Sequence, residues 1–487
     1  MRIKLVASVV GMMIMLCGIG MIIPAAVDCW VGEREAAMRF ALSAGVTVSV
    51  GLLVRLFAGS GRDPLRVKEM FLCTTLIWLF FALFSALPFF VSLYHLSWTD
   101  AVFESMSGLT TTGATVLSGL DTMTPGILLW RSMIQWFGGL GIIIVAILIL
   151  PTLRIGGMQF FHTESSAQSE RDLPTVAKNM RAISVYFIGL SVVCSICLWG
   201  AGMGIFDAVC HAMTAVATGG FSTHDASIAY FISPAIEGIL TFFMFVGGLP
   251  LMLGLLIWRR QWRSIRNNIQ IGFYIRLVAL IIVGLTTVRW MVSNKEIAAI
   301  WQFLRESAFS VISIVTTTGF VSTNYQNWGD FSVALFVFLL ACGACTGSTS
   351  GGIKMFRFSV LFQAVGVRLR NLTQPHGVFV ARYGERPIAD DVLISVLVFI
   401  GFFAGSVVVT TLALSMTGLD FMTAFSGAIT GISNVGPGLG PMIGPDQTFA
   451  HLPDASKWIL TVSMMVGRLE FATVFVLFFP FLWRKNA

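Results

Sequence analysis

The sequence predicts an all-α polytopic membrane protein, with two N-terminal helices followed by four helix–half-helix–helix repeats in a pseudo-fourfold arrangement. Composition is the first observation behind this prediction. The 487 residues are 56% hydrophobic and only 11% charged, with a mean hydropathy of +0.85. Soluble domains carry about 25% charged residues, so most of this chain must face lipid or other membrane helices. Long apolar runs and a recurring glycine-containing strip are the other two observations.

Apolar runs long enough to cross a bilayer, about 20 residues each, occur along the whole chain. The first follows Arg2 and Lys4 in a pattern similar to a signal peptide. Because this run is long enough to span, we interpret it as a retained helix rather than a cleaved leader. The ten predicted spans lie near 5–25, 38–58, 70–93, 127–150, 182–204, 235–258, 273–293, 331–370 (which is interrupted), 391–416 and 457–482.

Basic residues occupy alternate connections between these runs, which is the pattern that orients membrane proteins. They predict that both termini are cytoplasmic, and they account for the net charge of +7 without a nucleic-acid partner. Arg289, Lys295 and Arg305 lie on the opposite side and only weaken the bias. The basic residues on the cytoplasmic side are Arg55, Arg62, Arg66, Lys68, Arg259, Arg260, Arg263, Arg266, Arg276, Lys354, Arg357, Arg368, Arg370, Arg382, Arg386, Arg484 and Lys485.

Two pairs of cysteines, Cys194/Cys197 and Cys342/Cys345, have the C-x-x-C spacing of some metal and redox sites. No second ligand pair or histidine cluster accompanies either pair. We therefore favour the interpretation that they are small apolar residues inside the membrane segments.

The polar stretch "TTTGAT" (110–115, strip 1) stands at the edge of an apolar run, and three later stretches resemble it. Each is preceded by a segment too short to cross the membrane and followed by a spanning run. A period of roughly 100 residues is too long for a solenoid and fits a tandem membrane unit. Ordinary turns use the same residue types, but they do not explain four copies in equivalent places. The later copies are "VATGGFST" (216–223, strip 2), "VTTTGFVST" (315–323, strip 3) and "ISNVGPGLG" (432–440, strip 4).

The strips have the chemistry of a cation pathway. Non-helical backbone at membrane depth is tolerated only where it is buried in protein or lines a watery cavity. Four strips around one axis would present rings of backbone carbonyls, which can replace the hydration shell of a monovalent cation. Glycine permits the required dihedral angles, and half-helices that end at the strips direct their negative dipole ends inward.

These residues resemble a known family. "GLTTTGAT", "VATGGFSTHDAS", "TTTGF" and "SNVGPGLG" are similar to the four filter strips of the TrkH/TrkG/KtrB superfamily of potassium transporters. The similarity covers essentially the whole chain, and the two extra N-terminal spans favour the TrkH/TrkG branch. Other segments similar to that family are "QWFGGLGIIIVAILILP" (135–151), "GSTSGGIK" (347–354) and "GRLEFATVFVLF" (467–478).

The resemblance implies potassium uptake across the bacterial inner membrane through a selectivity filter, with K⁺ as the transported ion and no organic cofactor. It also implies a homodimer that binds a cytosolic ring of TrkA-type nucleotide-binding regulatory subunits. Whether uptake is channel-like or coupled to protons or sodium stays open. Plant relatives with serine at the position of Gly113 tend to pass sodium, and a less selective potassium/sodium transporter is the alternative. The implied filter residues are Thr111, Thr112, Gly113, Thr218, Gly219, Gly220, Thr317, Thr318, Gly319, Asn434, Val435 and Gly436.

The fourth strip departs most from the family's glycine–aromatic pattern, because Pro437 follows Gly436. With the spans, the four strips predict five units along the chain. They are two N-terminal transmembrane helices (1–66), pore repeat 1 (67–155), pore repeat 2 (178–262), pore repeat 3 with an intramembrane loop at 341–354 (270–372) and pore repeat 4 (388–487).

The interruption "ACGACTGSTSGGIK" (341–354) places four glycines inside a long apolar run, where a good helix cannot continue. It lacks the G-x-x-x-x-G-K-[ST] pattern of a phosphate-binding loop, because Ile353 precedes Lys354 and Met355 follows it. A plain inter-helix loop remains the alternative. As the resemblance implies, we favour a flexible gate beneath the filter, with Gly343, Gly347, Ser348, Gly351, Gly352, Lys354 and Arg468 as its residues.

Arg468 is predicted near mid-membrane in the last span, where an arginine almost always faces the protein interior or water. We favour a pore-facing charge below the filter. An ion pair or carbonyl clamp that fixes helix packing is the alternative, and Glu470, two positions along, is a poor helical partner.

A membrane enzyme would need a cluster of histidines or carboxylates at a membrane face. The six histidines are scattered, and Glu104, Asp207 and Glu306 belong to the short half-helices. The sequence therefore predicts a transporter and not an enzyme.

Overall fold

The structure is a computed structural model that describes residues 2–59, 65–148, 173–293, 299–384 and 386–483. It is mostly helical, which confirms the all-α fold class. One antiparallel pair of two-residue strands, β1 (Arg382–Tyr383) and β2 (Arg386–Pro387), lies in the connection before the helix Asp390–Ser415. The ends of the predicted pore repeats at 155 and 487 lie outside the described residues, as do Arg62, Lys295, Arg484 and Lys485.

The α-helices are α1 (Ile3–Gly20), α2 (Ile22–Val31), α3 (Arg34–Ala58), α4 (Val67–Ser85), α5 (Leu87–Phe90), α6 (Trp98–Leu109), α7 (Pro125–Leu148), α8 (Leu173–Gly200), α9 (Ile205–Val216), α10 (Pro234–Gly247), α11 (Met252–Trp258), α12 (Trp262–Arg266), α13 (Ile269–Ser293), α14 (Ala299–Val315), α15 (Asp330–Ala341), α16 (Met355–Thr373), α17 (Asp390–Ser415), α18 (Phe421–Ser433), α19 (Asp454–Arg468), α20 (Ala472–Phe475) and α21 (Pro480–Trp483). Short 3₁₀ helices cover Leu120–Thr122, Ser227–Phe231, Tyr325–Trp328, Phe449–His451 and Val476–Phe478.

The first two spans pack closely because small residues let their backbones approach. A Cβ atom added at Gly11 would lie 2.8 Å from the carbonyl oxygen of Gly51, and one added at Gly51 would lie 2.7 Å from that of Gly11. Larger side chains at either position would force α1 and α3 apart.

Within the described residues, six helices or helix runs are long and apolar enough to cross a membrane, and eight are if two bent pairs each count as one span. The bent pairs are the predicted sixth and tenth spans. The sixth bends by 93° between α10 and α11, where Pro250 lacks the amide that a helix needs. The tenth bends by 104° after α19, where Glu470 and Phe471 both have positive φ. The predicted interruption of the eighth span separates α15 from α16.

The four predicted half-helices are α6, α9, α14 and α18, and each leads into one strip. The helix after each strip, α7, α10, α15 or α19, returns beside it. In repeats 1 and 4 this packing needs a glycine, because a Cβ added at Gly138 or Gly467 would overlap the carbonyl of Leu109 or Ile432 respectively. Both carbonyls belong to residues four positions before a strip glycine, so the two repeats pack in the same way.

Candidate ion pathway

All four half-helices end in the same backbone turn. Beyond each helix end, the amide of the residue that follows a left-handed residue donates to the carbonyl five residues earlier, at 2.8 Å in the first three repeats and 3.1 Å in the fourth. This hydrogen bond and the left-handed residue before it form the Schellman helix end. The left-handed residues have φ values of 53° at Thr111, 52° at Thr218, 57° at Thr317 and 57° at Asn434.

Three of these left-handed residues are threonine, which is unusual. A β-branched side chain at positive φ is a genuine outlier, and such strain costs about 1–3 kcal/mol per residue. Glycine, the usual residue at this helix end, would relieve it. Because the strain recurs at three equivalent, fully buried positions, we infer that the hydroxyl groups have a role there.

The strip glycines bring the four strips into a closed ring. Their φ values are all positive, and a Cβ atom added at any of them would overlap a carbonyl oxygen of the next strip. The contacts run from strip 1 to strip 2, then to strips 3 and 4, and back to strip 1. Going round, Gly113 abuts the oxygen of Gly219, Gly220 that of Thr318, Gly319 that of Val435, and Gly436 that of Thr112.

All twelve predicted filter residues therefore lie together. Each strip contributes one left-handed residue, one residue whose carbonyl abuts the neighbouring glycine, and the glycine itself. The fourth strip departs in sequence but keeps the same pattern of positive φ values, 57° at Asn434 and 107° at Gly436, although the second lies above the 78–84° of the other three strip glycines. Pro437 packs beside strip 3, with Cδ 2.9 Å from the position of a Cβ on Gly319.

Side-chain oxygens of the left-handed residues line the end of the ring where the half-helices terminate. Thr218 Oγ1 donates to Thr349 Oγ1 at 3.0 Å, and Thr317 Oγ1 accepts from the amide of Gly351 at 2.7 Å. Thr111 Oγ1 and Asn434 Oδ1 are buried and have no hydrogen-bond partner among the described residues. Two of these oxygens are thus engaged by the 341–354 loop and two are not.

A buried ion pair supports strips 1 and 2 from behind. Arg131 on α7 donates from Nε to Glu104 Oε1 of half-helix α6 at 2.8 Å, and both side chains are at most 1% exposed. Arg131 Nη1 also donates to the carbonyl of Ser222 at 2.7 Å. Glu104 accepts from the amide of Val116 at 3.0 Å. The sequence placed Glu104 in a half-helix but gave no sign of its partner.

Repeat 3 has a similar pair. Arg289 on α13 donates from Nη2 to Glu306 Oε2 of half-helix α14 at 2.5 Å, and its guanidinium carbon lies 3.5 Å from the ring centroid of Trp328. The only signal for this pair in the sequence was that Arg289 lies against the charge bias of the loops. Its partner explains why a buried cation is tolerated at this position.

Hydrogen bonds between neighbouring repeats join the loops that follow the strips. The carboxylate of Asp225 accepts from the amides of Gly119 and Leu120, which joins repeats 1 and 2. The three remaining junctions are Ile228 N to Val321 O at 3.0 Å, Asn324 Nδ2 to Asp446 Oδ2 at 2.6 Å, and Phe449 N to Thr115 O at 2.8 Å. The ring is therefore held at this end by contacts around its whole circumference.

The 341–354 loop folds against the opposite end of the ring. It is closed on itself by hydrogen bonds from Gly343 N to Ile353 O and from Ile353 N to Ala341 O, at 2.9 and 3.0 Å. It contacts strips 2 and 3 through the hydroxyl groups described above. It also contacts the end of α18, because a Cβ added at Gly351 would overlap the carbonyl of Ser433.

Glycines allow this loop to pack so closely. Gly347 and Gly352 have φ values of 81° and 64°, and a Cβ added at Gly343 would overlap the carbonyl of Gly351. Ser348 Oγ lies 2.7 Å from Ser350 Oγ. The loop is thus a compact, mostly backbone structure and not an extended connector.

Arg468 is the last residue of α19 and reaches the loop. Its Nη1 donates to the carbonyl of Thr349 at 2.8 Å, whereas Nε and Nη2 have no hydrogen-bond partner among the described residues. Glu470 instead pairs with Arg357 on α16 at 2.7 Å. Lys354 Nζ donates to the carbonyl and hydroxyl oxygens of Ser350.

Six of the seven predicted gate residues line one small cavity of about 40 Å³; Gly343 does not. A cavity of this size can hold water-sized species. The lining residues predicted from sequence are Gly347, Ser348, Gly351, Gly352, Lys354 and Arg468.

Among the described residues, no ligand cluster surrounds the cysteine pairs. All eight cysteines are free thiols, and the described part of the chain contains no group of three or more His, Cys, Asp or Glu side chains placed to hold a metal ion. The interpretation of these residues as small apolar side chains stays a prediction, consistent with their mostly buried positions.

Comparisons with known proteins agree over nearly the whole chain. Residues 37–485 match the model of the TrkH family, described as cation transport protein. The Trk system potassium uptake protein TrkI of Halomonas elongata is 41% identical over 93% of this chain and 92% of its own length. The Trk system potassium uptake protein TrkH of Salmonella typhimurium is 36% identical over 100% of both chains.

The fold also has a solved counterpart. The crystal structure of the potassium transporter TrkH from Vibrio parahaemolyticus superposes with a TM-score of 0.91 and 31% sequence identity. The match covers 99% of this chain and 100% of that one. The relatives are named as potassium transporters, not as enzymes.

Proposed function

Because the chain belongs to the TrkH family of cation transport proteins and is a multi-pass membrane protein, we propose that it takes up potassium across the bacterial inner membrane. The observation that carries this proposal is the closed ring of four strips, in which every glycine abuts a carbonyl of the next strip. Uncharged backbone oxygens in a ring suit a monovalent cation that must shed its water. The curated relatives are named for potassium uptake.

The twelve ring residues act as the selectivity filter. Four half-helices end at the ring, and their C-terminal dipoles favour a cation there without a fixed negative charge. The left-handed threonines add hydroxyl oxygens at the inner end. Glycine at position 113, where sodium-passing relatives have serine, favours potassium as the transported ion. A less selective potassium/sodium transporter of the TrkH/TrkG/KtrB superfamily is the second candidate.

The loop 341–354 acts as the gate. It occupies the inner end of the ring and takes up two of the four side-chain oxygens there, those of Thr218 and Thr317. When the loop withdraws, both oxygens become available to an ion at the same time as the path opens. Gating and ion binding are therefore coupled through the same hydrogen bonds.

Arg468 serves this gate in two ways. Its hydrogen bond to Thr349 holds the loop in place. Its charge also raises the energy of a cation that passes beneath the ring. Both effects favour the closed pathway, and both are relieved when the loop moves away from α19.

The protein works as a homodimer, with both termini in the cytoplasm and a cytosolic TrkA-type nucleotide-binding subunit that controls the gate. The naming of the relatives as parts of a Trk system supports such a partner. Uptake is either channel-like or coupled to a proton or sodium gradient.

Rubidium flux into proteoliposomes tests the proposal. Purified protein is expected to carry rubidium, with potassium as a strong competitor and sodium as a weak one. Imposed proton and sodium gradients then separate the channel-like mode from coupled transport. Absence of rubidium flux, together with failure to rescue a potassium-uptake-deficient bacterium on low potassium, would contradict the proposed function.

A further inference from the structure

Gln135 on α7 is a fully buried polar side chain that contacts strip 2. Its Nε2 donates to the carbonyl of Gly219 at 2.6 Å, and its Oε1 accepts from the amide of Phe221 at 3.0 Å. The two partners fix the orientation of the amide, because a carbonyl can only accept and an amide N–H can only donate. Gln135 thus pairs with strip 2 on both sides of Gly220, as a neighbouring strand would.

The equivalent positions in the other repeats are apolar. Counted from the first residue of α7, α10, α15 and α19, Gln135 is the eleventh residue of its helix, and so are Met244, Leu340 and Met464. All four residues are buried, and each precedes a glycine by three positions. The amide is therefore a feature of repeat 1 alone.

Strip 2 also differs at the residue that faces this amide. Strips 1, 3 and 4 have Thr112, Thr318 and Val435 at the position of Gly219. A Cβ added at Gly219 would overlap Oε1 and Cδ of Gln135. The side chain that strip 2 lacks is thus replaced in space by the head group of Gln135.

Two consecutive glycines, Gly219 and Gly220, leave the backbone of strip 2 little conformational restriction of its own, because glycine has the widest range of backbone conformations. The carbonyl of Gly219 is also the one that abuts Gly113 of strip 1. A shift of this carbonyl therefore changes the ring at two strips. A device that holds it in place has a direct effect on ring geometry.

We propose that Gln135 is a positioning residue that fixes the backbone of Gly219 to Phe221 and so sets the discrimination between potassium and sodium. This inference rests on the proposed function, in which the ring is the selectivity filter. Gln135 does not contact the ion; it acts through the strip. Because the head group of Gln135 fills the space that a side chain at position 219 would occupy, a double variant that changes both residues tests the inference.

The experiment compares Gln135→Met, Gly219→Thr and the double variant, which together give repeat 1 and strip 2 the residue types found in the other repeats. Sodium competition against rubidium influx measures discrimination in proteoliposomes. The difference in melting temperature between potassium and sodium solutions measures selective ion binding without transport. Met244→Leu, a volume-conserving change at the equivalent position of α10, is the matched control.

Gln135→Met is expected to lower discrimination by roughly three- to tenfold, the factor that corresponds to the net free energy of about one hydrogen bond. Gly219→Thr alone is expected to lower it too, because its Cβ overlaps Gln135. The double variant should recover a large part of the loss, with clear non-additivity between the two sites. Met244→Leu should retain the parental ratio.

Two results would overturn the inference while the parental protein remains selective. One is an unchanged ratio in Gln135→Met, in both flux and ion-dependent melting. The other is a double variant no better than the worse single variant. A parental protein that fails to distinguish the two ions would contradict the proposed function instead, so the two failures are distinguishable.

Discussion

Arg468 Nη1 donates a hydrogen bond to the backbone carbonyl of Thr349, 119 positions away in the sequence, and this bond ties the broken end of α19 to the loop beneath the ring. The side chain is only 3% exposed, and its Nε and Nη2 have no partner among the described residues. The bond to Thr349 is the kind of carbonyl contact that the sequence left as the alternative for Arg468, and the pore-facing charge that it favoured stays a prediction.

Arg468→Ala is expected to raise basal rubidium flux. A unit charge 4 Å from a cation costs about 1–4 kcal/mol for effective dielectric constants between 80 and 20, and the alanine variant loses both this barrier and the bond to the loop. Arg468→Lys keeps the charge but loses the planar guanidinium, so its flux should lie between that of the parental protein and that of Arg468→Ala. Flux and thermal melting are measured on the same purified proteins. Loss of stability in both variants, with unchanged flux per folded protein, would assign Arg468 a purely structural role.

Removing a few residues from 343–352 is expected to increase basal flux and weaken control by the regulatory subunit. A shortened loop cannot reach Thr218 and Thr317 together, so the hydroxyl groups that it occupies are released. The check is rubidium flux with and without the cytosolic partner, alongside size-exclusion chromatography. If flux falls while the shortened protein is still folded and dimeric, the loop supports the ring rather than closing it.

The sequence predicts the half-helices and strips well because their signal is local. Hydroxyl residues and a glycine after a non-spanning segment identify each copy, and the backbone of strip 4 follows the others despite Pro437. Contacts between distant residues have no such signal. Gln135 and Gly219 lie 84 positions apart, and nothing in the sequence near either one indicates the other.

The bends of the sixth and tenth spans were also not predicted from the sequence. Both runs are predominantly apolar, although Arg468 and Glu470 lie within the second, so composition alone favours continuous helices. Pro250 marks the first bend in retrospect. At the second bend, Glu470 and Phe471 take positive φ. Arg468 contacts the 341–354 loop there, and Glu470 pairs with Arg357. These contacts join residues far apart in the sequence, so no local pattern indicates the break.

Gly113→Ser is expected to reduce discrimination between potassium and sodium. Its φ of 84° disfavours any side chain, and a Cβ would overlap the carbonyl of Gly219. Gly119→Ser is the matched control, because Gly119 also has positive φ, 76°, but the nearest atom to an added Cβ is Thr122 Oγ1 at 3.8 Å. Sodium competition against rubidium influx reports on both variants. Equal selectivity in Gly113→Ser and the parental protein would remove Gly113 from the filter.

Arg131→Met is expected to destabilise the protein strongly. Glu104 would keep its position in half-helix α6 with no exposed surface and without its cationic partner. Breaking a buried pair from one side costs about 3–5 kcal/mol, because an uncompensated charge remains. Arg276→Met is the control. Arg276 is exposed and, among the described residues, donates to a carbonyl of its own helix. The free energy of unfolding should therefore change by no more than about 0.5 kcal/mol.

The double variant Glu104→Gln/Arg131→Met separates charge from packing. If the cost of Arg131→Met comes from the unpaired carboxylate, neutralising Glu104 should restore part of the lost melting temperature, and the two changes will be non-additive. The side-chain amide that replaces the carboxylate can still accept from Val116 N through its oxygen, so strip 1 retains one of its supports. Thermal melting of the detergent-solubilised protein is measured for the parental chain and both variants. Arg131 also donates from Nη1 to the carbonyl of Ser222 and from Nη2 to Thr115 Oγ1, at 2.7 and 3.1 Å. Should the single and double variants melt at the same temperature, the loss of stability would stem from these two bonds, and the charge of Glu104 would carry none of the penalty.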